Sequence, residues 1–165
     1  MGFQIHSLPA EGFAHLFELT DDELVRHLAR RQMVTTKPGF PCRVSMADAE
    51  IGETVILLNY EHQPQNSPYK AMHAIYIREG VAQAELAVGE VPEVLRSRLI
   101  SLRAFDDAHL MIHADMVQGV DLAEAITTVF DDQNVAYIHL HNAKPGCFAA
   151  SVTRAEGVSL GAGKA

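Results

Sequence analysis

Cysteine is scarce in this chain of 165 residues: Cys42 and Cys147 are the two it has, too few for a disulfide framework. One bridge between them is conceivable, but reduced thiols in a cytosolic protein are the expected state. Positive charge is also in short supply, with 13 Lys and Arg against 21 Asp and Glu and a formal net charge of −8. Such a surface repels phosphate backbones and anionic lipid, so neither a nucleic acid nor a membrane is the expected partner. No apolar run exceeds the length of Val55–Leu58, far too short to span a bilayer. Met1–Pro9 lacks a basic start followed by an apolar stretch, so no signal peptide is expected and the localisation reads as cytoplasmic. Familiar catalytic signatures are missing as well: there is no Gly-x-Ser-x-Gly, no Cys-x-x-Cys and no His-Glu-x-x-His. Gly161-Ala162-Gly163-Lys164 has the composition of a phosphate loop, but its first glycine is misplaced and no Ser or Thr follows the lysine.

What is present is an ordinary globular composition, 48% hydrophobic and 21% charged, enough for one domain with a core. The domain is expected over residues 1–155, with the Gly- and Ala-rich stretch 156–165 as a flexible tail. Phe3–Leu8 reads as a first strand, and Phe13, Leu16 and Phe17 fall at helical spacing. Thr20-Asp21-Asp22-Glu23 is a capping box opening a helix that buries Leu24, Val25 and Leu28 and ends in the basic run Arg26–Arg31. Lys37-Pro38-Gly39-Phe40 suits a type II turn, with glycine taking the positive φ. Thr54–Tyr60 is apolar on both faces, as a covered central strand is, and Met72–Arg78 follows as its hairpin neighbour. Glu93–Arg103 reads as a helix with Val94, Leu95, Leu99 and Leu102 on its buried stripe and Arg96, Arg98 and Arg103 exposed. His109–Val117 alternates as a strand, and Asp121 with Glu124 caps a helix that buries Leu122, Ala125, Ile126, Val129 and Phe130. Two further strands flank a Pro-Gly turn near the C-terminus. The order is not a strict β-α alternation, so the fold class is α+β: a single domain with a mainly antiparallel or mixed sheet of about six or seven strands and about four helices packed on it.

Chemically capable side chains concentrate in Tyr137-Ile138-His139-Leu140-His141-Asn142-Ala143-Lys144-Pro145-Gly146-Cys147. Strand parity puts Tyr137, His139 and His141 on one face and Ile138 and Leu140 on the core face, with the two imidazoles about 7 Å apart. If Lys144 and Cys147 close a tight hairpin, Cys147 shares the face of Asn142, away from both histidines. A looser connection changes that register. Both cysteines follow a Lys-Pro-Gly turn, so two turns presenting Cys42 and Cys147 can converge, with Arg43 and Lys144 as anion-holding cations. The leading reading is a small-molecule site for an anionic or carbonyl-bearing ligand. In it His139 or His141 serves as acid or base, Cys147 or Cys42 as nucleophile, and Arg43, His62, Tyr69, Asn142 and Lys144 hold the ligand. A non-catalytic domain docking a partner protein on the face of Tyr137, His139, His113 and Met111 is the alternative. A zinc module is the third reading, since imidazole and thiolate select that metal. His62, His73, His113 and Asp115 are the remote partners on offer, but no metal ligands are assigned. The sequence assigns neither an oligomeric state nor a cofactor.

Phe40-Pro41-Cys42-Arg43-Val44-Ser45, Asn59-Tyr60-Glu61-His62 with Ser67-Pro68-Tyr69, Leu102-Arg103-Ala104-Phe105-Asp106, and Tyr137-Ile138-His139 to Cys147 occur in this order. Together they resemble the bacterial family catalogued as domain of unknown function 1203, over about residues 1–155. The resemblance implies a small free-standing protein and carries over no catalytic residue and no cofactor.

Overall fold

Alternation of period two governs more of the chain than the helical spacings do. The computed structural model, which describes residues 2–155, is accordingly sheet-rich. In chain order its elements are β1 (Phe3–His6), α1 (Asp21–Arg26), β2 (Ala29–Met33), β3 (Thr54–Gln63), β4 (Ala71–Arg78), α2 (Glu93–Arg96), β5 (Leu99–Phe105), β6 (Met111–Gln118), α3 (Leu122–Val129), β7 (Tyr137–Asn142) and β8 (Phe148–Arg154). Short 3-10 segments lie at Ala10–Gly12, Ala14–Glu18 and Gly119–Asp121. The strands form two antiparallel sheets, ordered β1-β8-β7-β5-β6 and β2-β3-β4. Eight strands in two sheets thus replace the expected six or seven, and three α-helices replace the expected four. The stretch 156–165, expected to be flexible, lies outside the described residues. Among the described residues no helix is long and apolar enough to cross a membrane.

Two segments expected as helix are strand. Glu93 onward stays helical for a single turn, and Leu99–Phe105 then runs as β5 between β7 and β6. Ile100, Leu102 and Ala104 alternate into the core at 0% exposure, a period-two pattern hidden under leucines that also fit a helical stripe. The basic run after α1 is not a helix end either. Leu28 takes φ 53°, terminating the turn, and Ala29–Met33 pairs with β3. Of the three residues expected to be buried by α1, Leu24 is at 0% exposure, while Val25 and Leu28 are exposed. The cap at Thr20 forms as read: its hydroxyl accepts from the Glu23 amide, and the Glu23 carboxylate accepts from the Thr20 amide at 2.8 Å. Asp121 makes no such cap; a 3-10 turn leads into α3 instead. The Lys37–Pro38 bond is cis, and Gly39 is not in the left-handed region, so that turn is not type II.

The first sheet carries the main core on one face. Ile100 and Leu102 from β5, Ile138 and Leu140 from β7 and Val152 from β8 pack with Leu122, Ile126 and Phe130 of the α3 region. The second sheet packs Ile56, Leu58, Ile75 and Ile77 against Phe13, Leu16 and Leu24. Phe148 of β8 belongs to this second cluster, so it is where the two sheets meet. It lies 6.0 Å from the ring of Tyr60 and is stacked on His62 at 5.2 Å.

Candidate functional site

Placement of the site follows from the β7–β8 hairpin. Leu140 pairs with Ala150 but His141 pairs with Phe148, so Ala149 is an extra residue, a β-bulge. The Asn142 amide donates to the Cys147 carbonyl at 2.9 Å, and the Gly146 amide donates to the Asn142 carbonyl at 2.8 Å. The connection is therefore the four residues Ala143-Lys144-Pro145-Gly146 rather than a two-residue turn, with Gly146 at φ 77°. Bulge and longer loop together shift the register without changing the face of Cys147, which stays beside Asn142. The residues expected in one site are thereby divided between two sides of the hairpin.

On one side, His139 and His141 are joined by His62 from the far end of β3. One ring nitrogen from each of the three lies within 4.8 Å of the others. The ring centroids of His62 are 5.9 Å from His139 and 4.9 Å from His141. His139 and His141 are only 6% and 1% exposed, under a roof of Phe148, Phe105 and His62 itself. His139 and His141, on the polar face of β7, are thus covered rather than open to solvent, whereas His113 is exposed and Met111 and Tyr137 are half-buried. His141 Nδ1 lies 3.0 Å from the Gly146 carbonyl, an acceptor, so this nitrogen carries the proton and Nε2 keeps its lone pair. The Nδ1 atoms of His62 and His139 are buried with no hydrogen-bond partner.

Electrostatics keep all three rings neutral at physiological pH. Burial, followed by the charge of Arg103, lowers His62 to about 4. Burial and then the neighbouring His62 lower His139 to about 4. Burial lowers His141 to about 3 against the opposing bond to Gly146. Arg103 projects from β5 beside them, because its register partner is His139 and that of Ser101 is His141. Its Nε donates to the Ser101 hydroxyl at 3.2 Å, and among the described residues it has no carboxylate partner. Read as an exposed helix residue, Arg103 was missed as part of a site; the alternation of Leu99–Phe105 is the signal that finds it. Tyr69 reaches the same side at one remove, edge-on to Phe105 at 5.9 Å. Tyr137 is anchored by Gln63 at 2.8 Å and by His109 at 3.0 Å. His73, His113 and Asp115 take no part in the histidine trio.

On the other side, Arg43 is 2% exposed and donates its Nε to the Phe148 carbonyl at 2.8 Å. A second nitrogen donates to the Pro41 carbonyl, and a third to Cys147 Sγ at 3.0 Å. Burial lowers the Arg43 pKa, and Cys147 is the first of the groups opposing that shift. Asn142 Nδ2 also approaches this sulfur, at 3.6 Å. Both Pro-Gly turns do reach this place, since Gly39, Pro41, Lys144 and Pro145 line one pocket with Arg43 and Cys147. Cys42 does something else: its sulfur accepts from the backbone amides of Ser45 and Arg78 at 3.4 and 3.3 Å. Both cysteines are free thiols, and among the described residues neither sulfur has a hydrogen bond to an imidazole.

A family model described as "Protein of unknown function (DUF1203)" matches residues 39–154. The chain belongs to that family, as the four spaced motifs implied. No curated protein and no solved structure matches the chain. The matched region begins after β2 and contains every residue of both clusters just described.

Proposed function

We propose that His62, His139 and His141 form a mononuclear transition-metal site, with zinc the best fit. Arg103 beside it marks an anionic, carbonyl-bearing small molecule as the ligand. What carries this reading is one observation: three neutral imidazoles, two buried and one half-buried, converge, and two of them leave a buried nitrogen without any partner. An orphaned buried polar atom costs about 1–3 kcal/mol, which is hard to account for in a group that serves only as packing. Imidazole nitrogens suit zinc, and the closure required is small. A tetrahedral zinc holds its nitrogens about 3.3 Å apart, so rings within 4.8 Å approach by about 1.5 Å at most. Zinc held by three imidazoles keeps a coordination position open and supplies Lewis acidity there.

The chain's own groups have distinct parts in this reading. The Gly146 carbonyl fixes the His141 tautomer, as outer hydrogen bonds do for metal-ligating histidines. Phe148 and Phe105 keep the surroundings dry, which strengthens every charge interaction inside. Arg103 is a cation close to a proposed dication, and only an anion between the two makes that arrangement favourable; its guanidinium is shaped to hold a carboxylate. Zinc titration of chelator-stripped protein tests the reading, with one ion per chain expected. His62→Ala and His139→Ala should each weaken binding at least about a hundredfold. Arg103→Gln should leave zinc binding in place while abolishing the effect of added oxalate on it. Zinc binding no tighter than that of a variant lacking all three histidines would remove the proposal.

A further inference from the structure

The pocket on the side of the hairpin away from the histidines has a volume of about 550 Å³, and Arg43, Arg98, Asn142, Lys144 and Cys147 are among its lining. In a chain of net charge −8 this lining is cationic. Arg98 is neutralised by Asp48 at 2.6 Å. Arg43 and Lys144 have no carboxylate partner among the described residues. A buried guanidinium without a counter-charge is costly, and Arg43 meets only two carbonyl oxygens and one sulfur. Asn142 is the second, independent sign. It is 6% exposed, lines the pocket, and its Oδ1 is buried with no hydrogen-bond partner. A ligand that satisfies these groups together is a small organic anion bearing an O–H or N–H donor.

We propose that this pocket binds such an anion and that Cys147, its sulfur held by Arg43 and Asn142, acts as a nucleophile toward an electrophilic carbon brought in with it. The sulfur accepts from a guanidinium and an amide at once, and a thiolate accepts best from such donors. Cys42 offers a contrast within the same molecule, being 1% exposed, held by backbone amides and absent from this pocket's lining.

Iodoacetate and iodoacetamide are matched probes that differ in charge. In either reaction the sulfur electron pair forms a C–S bond at the methylene carbon, the C–I bond breaks, iodide departs, and the thiol proton passes to solvent. The measurement is the ratio of the two alkylation rates at Cys147, mapped by mass spectrometry with EDTA present so that metal binding plays no part. The reference is the same ratio in the urea-unfolded chain. Folding should raise the iodoacetate preference at Cys147 at least about tenfold, as a cationic cleft concentrates an anion. Unreactive lactate should protect the residue. Lys144→Gln, checked for native circular dichroism, should cut the preference at least about threefold. A ratio unchanged by folding, or a Cys147 inert to both reagents in the folded protein, overturns the proposal.

Discussion

Taking the metal-free protein from pH 7 to pH 5 should remove about 5 kcal/mol of folding stability, and the histidine trio sets that figure. In the unfolded chain each imidazole titrates near its ordinary value of about 6.5. In the folded chain His62 and His139 titrate near 4 and His141 near 3, with burial the largest cause in each. Because the folded values lie below the unfolded ones, the unfolded state binds more protons between them, and stability falls as pH falls. At pH 5 an unfolded histidine is about 97% protonated, whereas the folded rings remain almost wholly neutral. Each fully buried ring then costs about 2 kcal/mol relative to pH 7, a value that barely changes however far below 5 the folded pKa lies. His139 and His141 supply about 4 kcal/mol, and the half-buried His62 about 1 more after discounting for solvent. Small domains have only about 5–15 kcal/mol in total, so the effect is large. Urea melts in EDTA at pH 7, 6 and 5 measure it. His6, which burial also lowers, contributes in the same direction, so His139→Phe is the control that isolates the trio and should shrink the loss by about 2 kcal/mol. A fall of less than about 1 kcal/mol between pH 7 and 5 in the parent protein would mean that the three rings are solvated, and the reasoning would fail.

Two structural predictions accompany it. Gly119 precedes α3 where a Cβ would lie 2.0 Å from the Leu95 carbonyl oxygen and 2.5 Å from that of Arg96, both backbone atoms. Gly119→Ala should therefore cost about 3 kcal/mol in a urea melt. Gly12→Ala, where nothing lies within 4 Å, should stay within about 0.5 kcal/mol; equal effects at the two sites would refute the packing account. Asp48 holds Arg98 through two contacts, 2.6 and 2.9 Å, with side chains 10% and 19% exposed. Asp48→Asn leaves that cation largely buried and unpaired and should cost about 3 kcal/mol by the same assay, with a loss under about 1 kcal/mol showing that the pair is dispensable.

Sequence reading succeeded where a structure is decided locally. The Thr20–Glu23 box depends on residues three apart, and the parity of His139 and His141 depends on one strand, so both were legible. It failed where pairing at long range decides. Leu99–Phe105 satisfies a helical stripe and a strand alternation equally well, and only its position between β7 and β6 selects the strand. Ala29–Met33 carries three polar residues out of five and becomes a strand by pairing with β3. The site divided for the same reason. His62 lies 77 residues before His139, and nothing near it in sequence announces a partner across two sheets. Arg43 was visible as a cation beside a cysteine, but its contact is Cys147 rather than its neighbour Cys42.

The extra residue at Ala149 has a consequence beyond local geometry. A strand addresses its two faces by counting, and the bulge advances the count by one. Phe148 is thereby delivered to the histidines and Cys147 to Arg43. Were Ala149 instead paired as an ordinary strand residue, Phe148 would fall opposite Asn142 and the two would exchange, placing the thiol over the imidazoles and the phenyl ring in the cationic pocket. The histidine trio and the cysteine pocket are therefore readouts of a single phase, and this bulge specifies the contents of both.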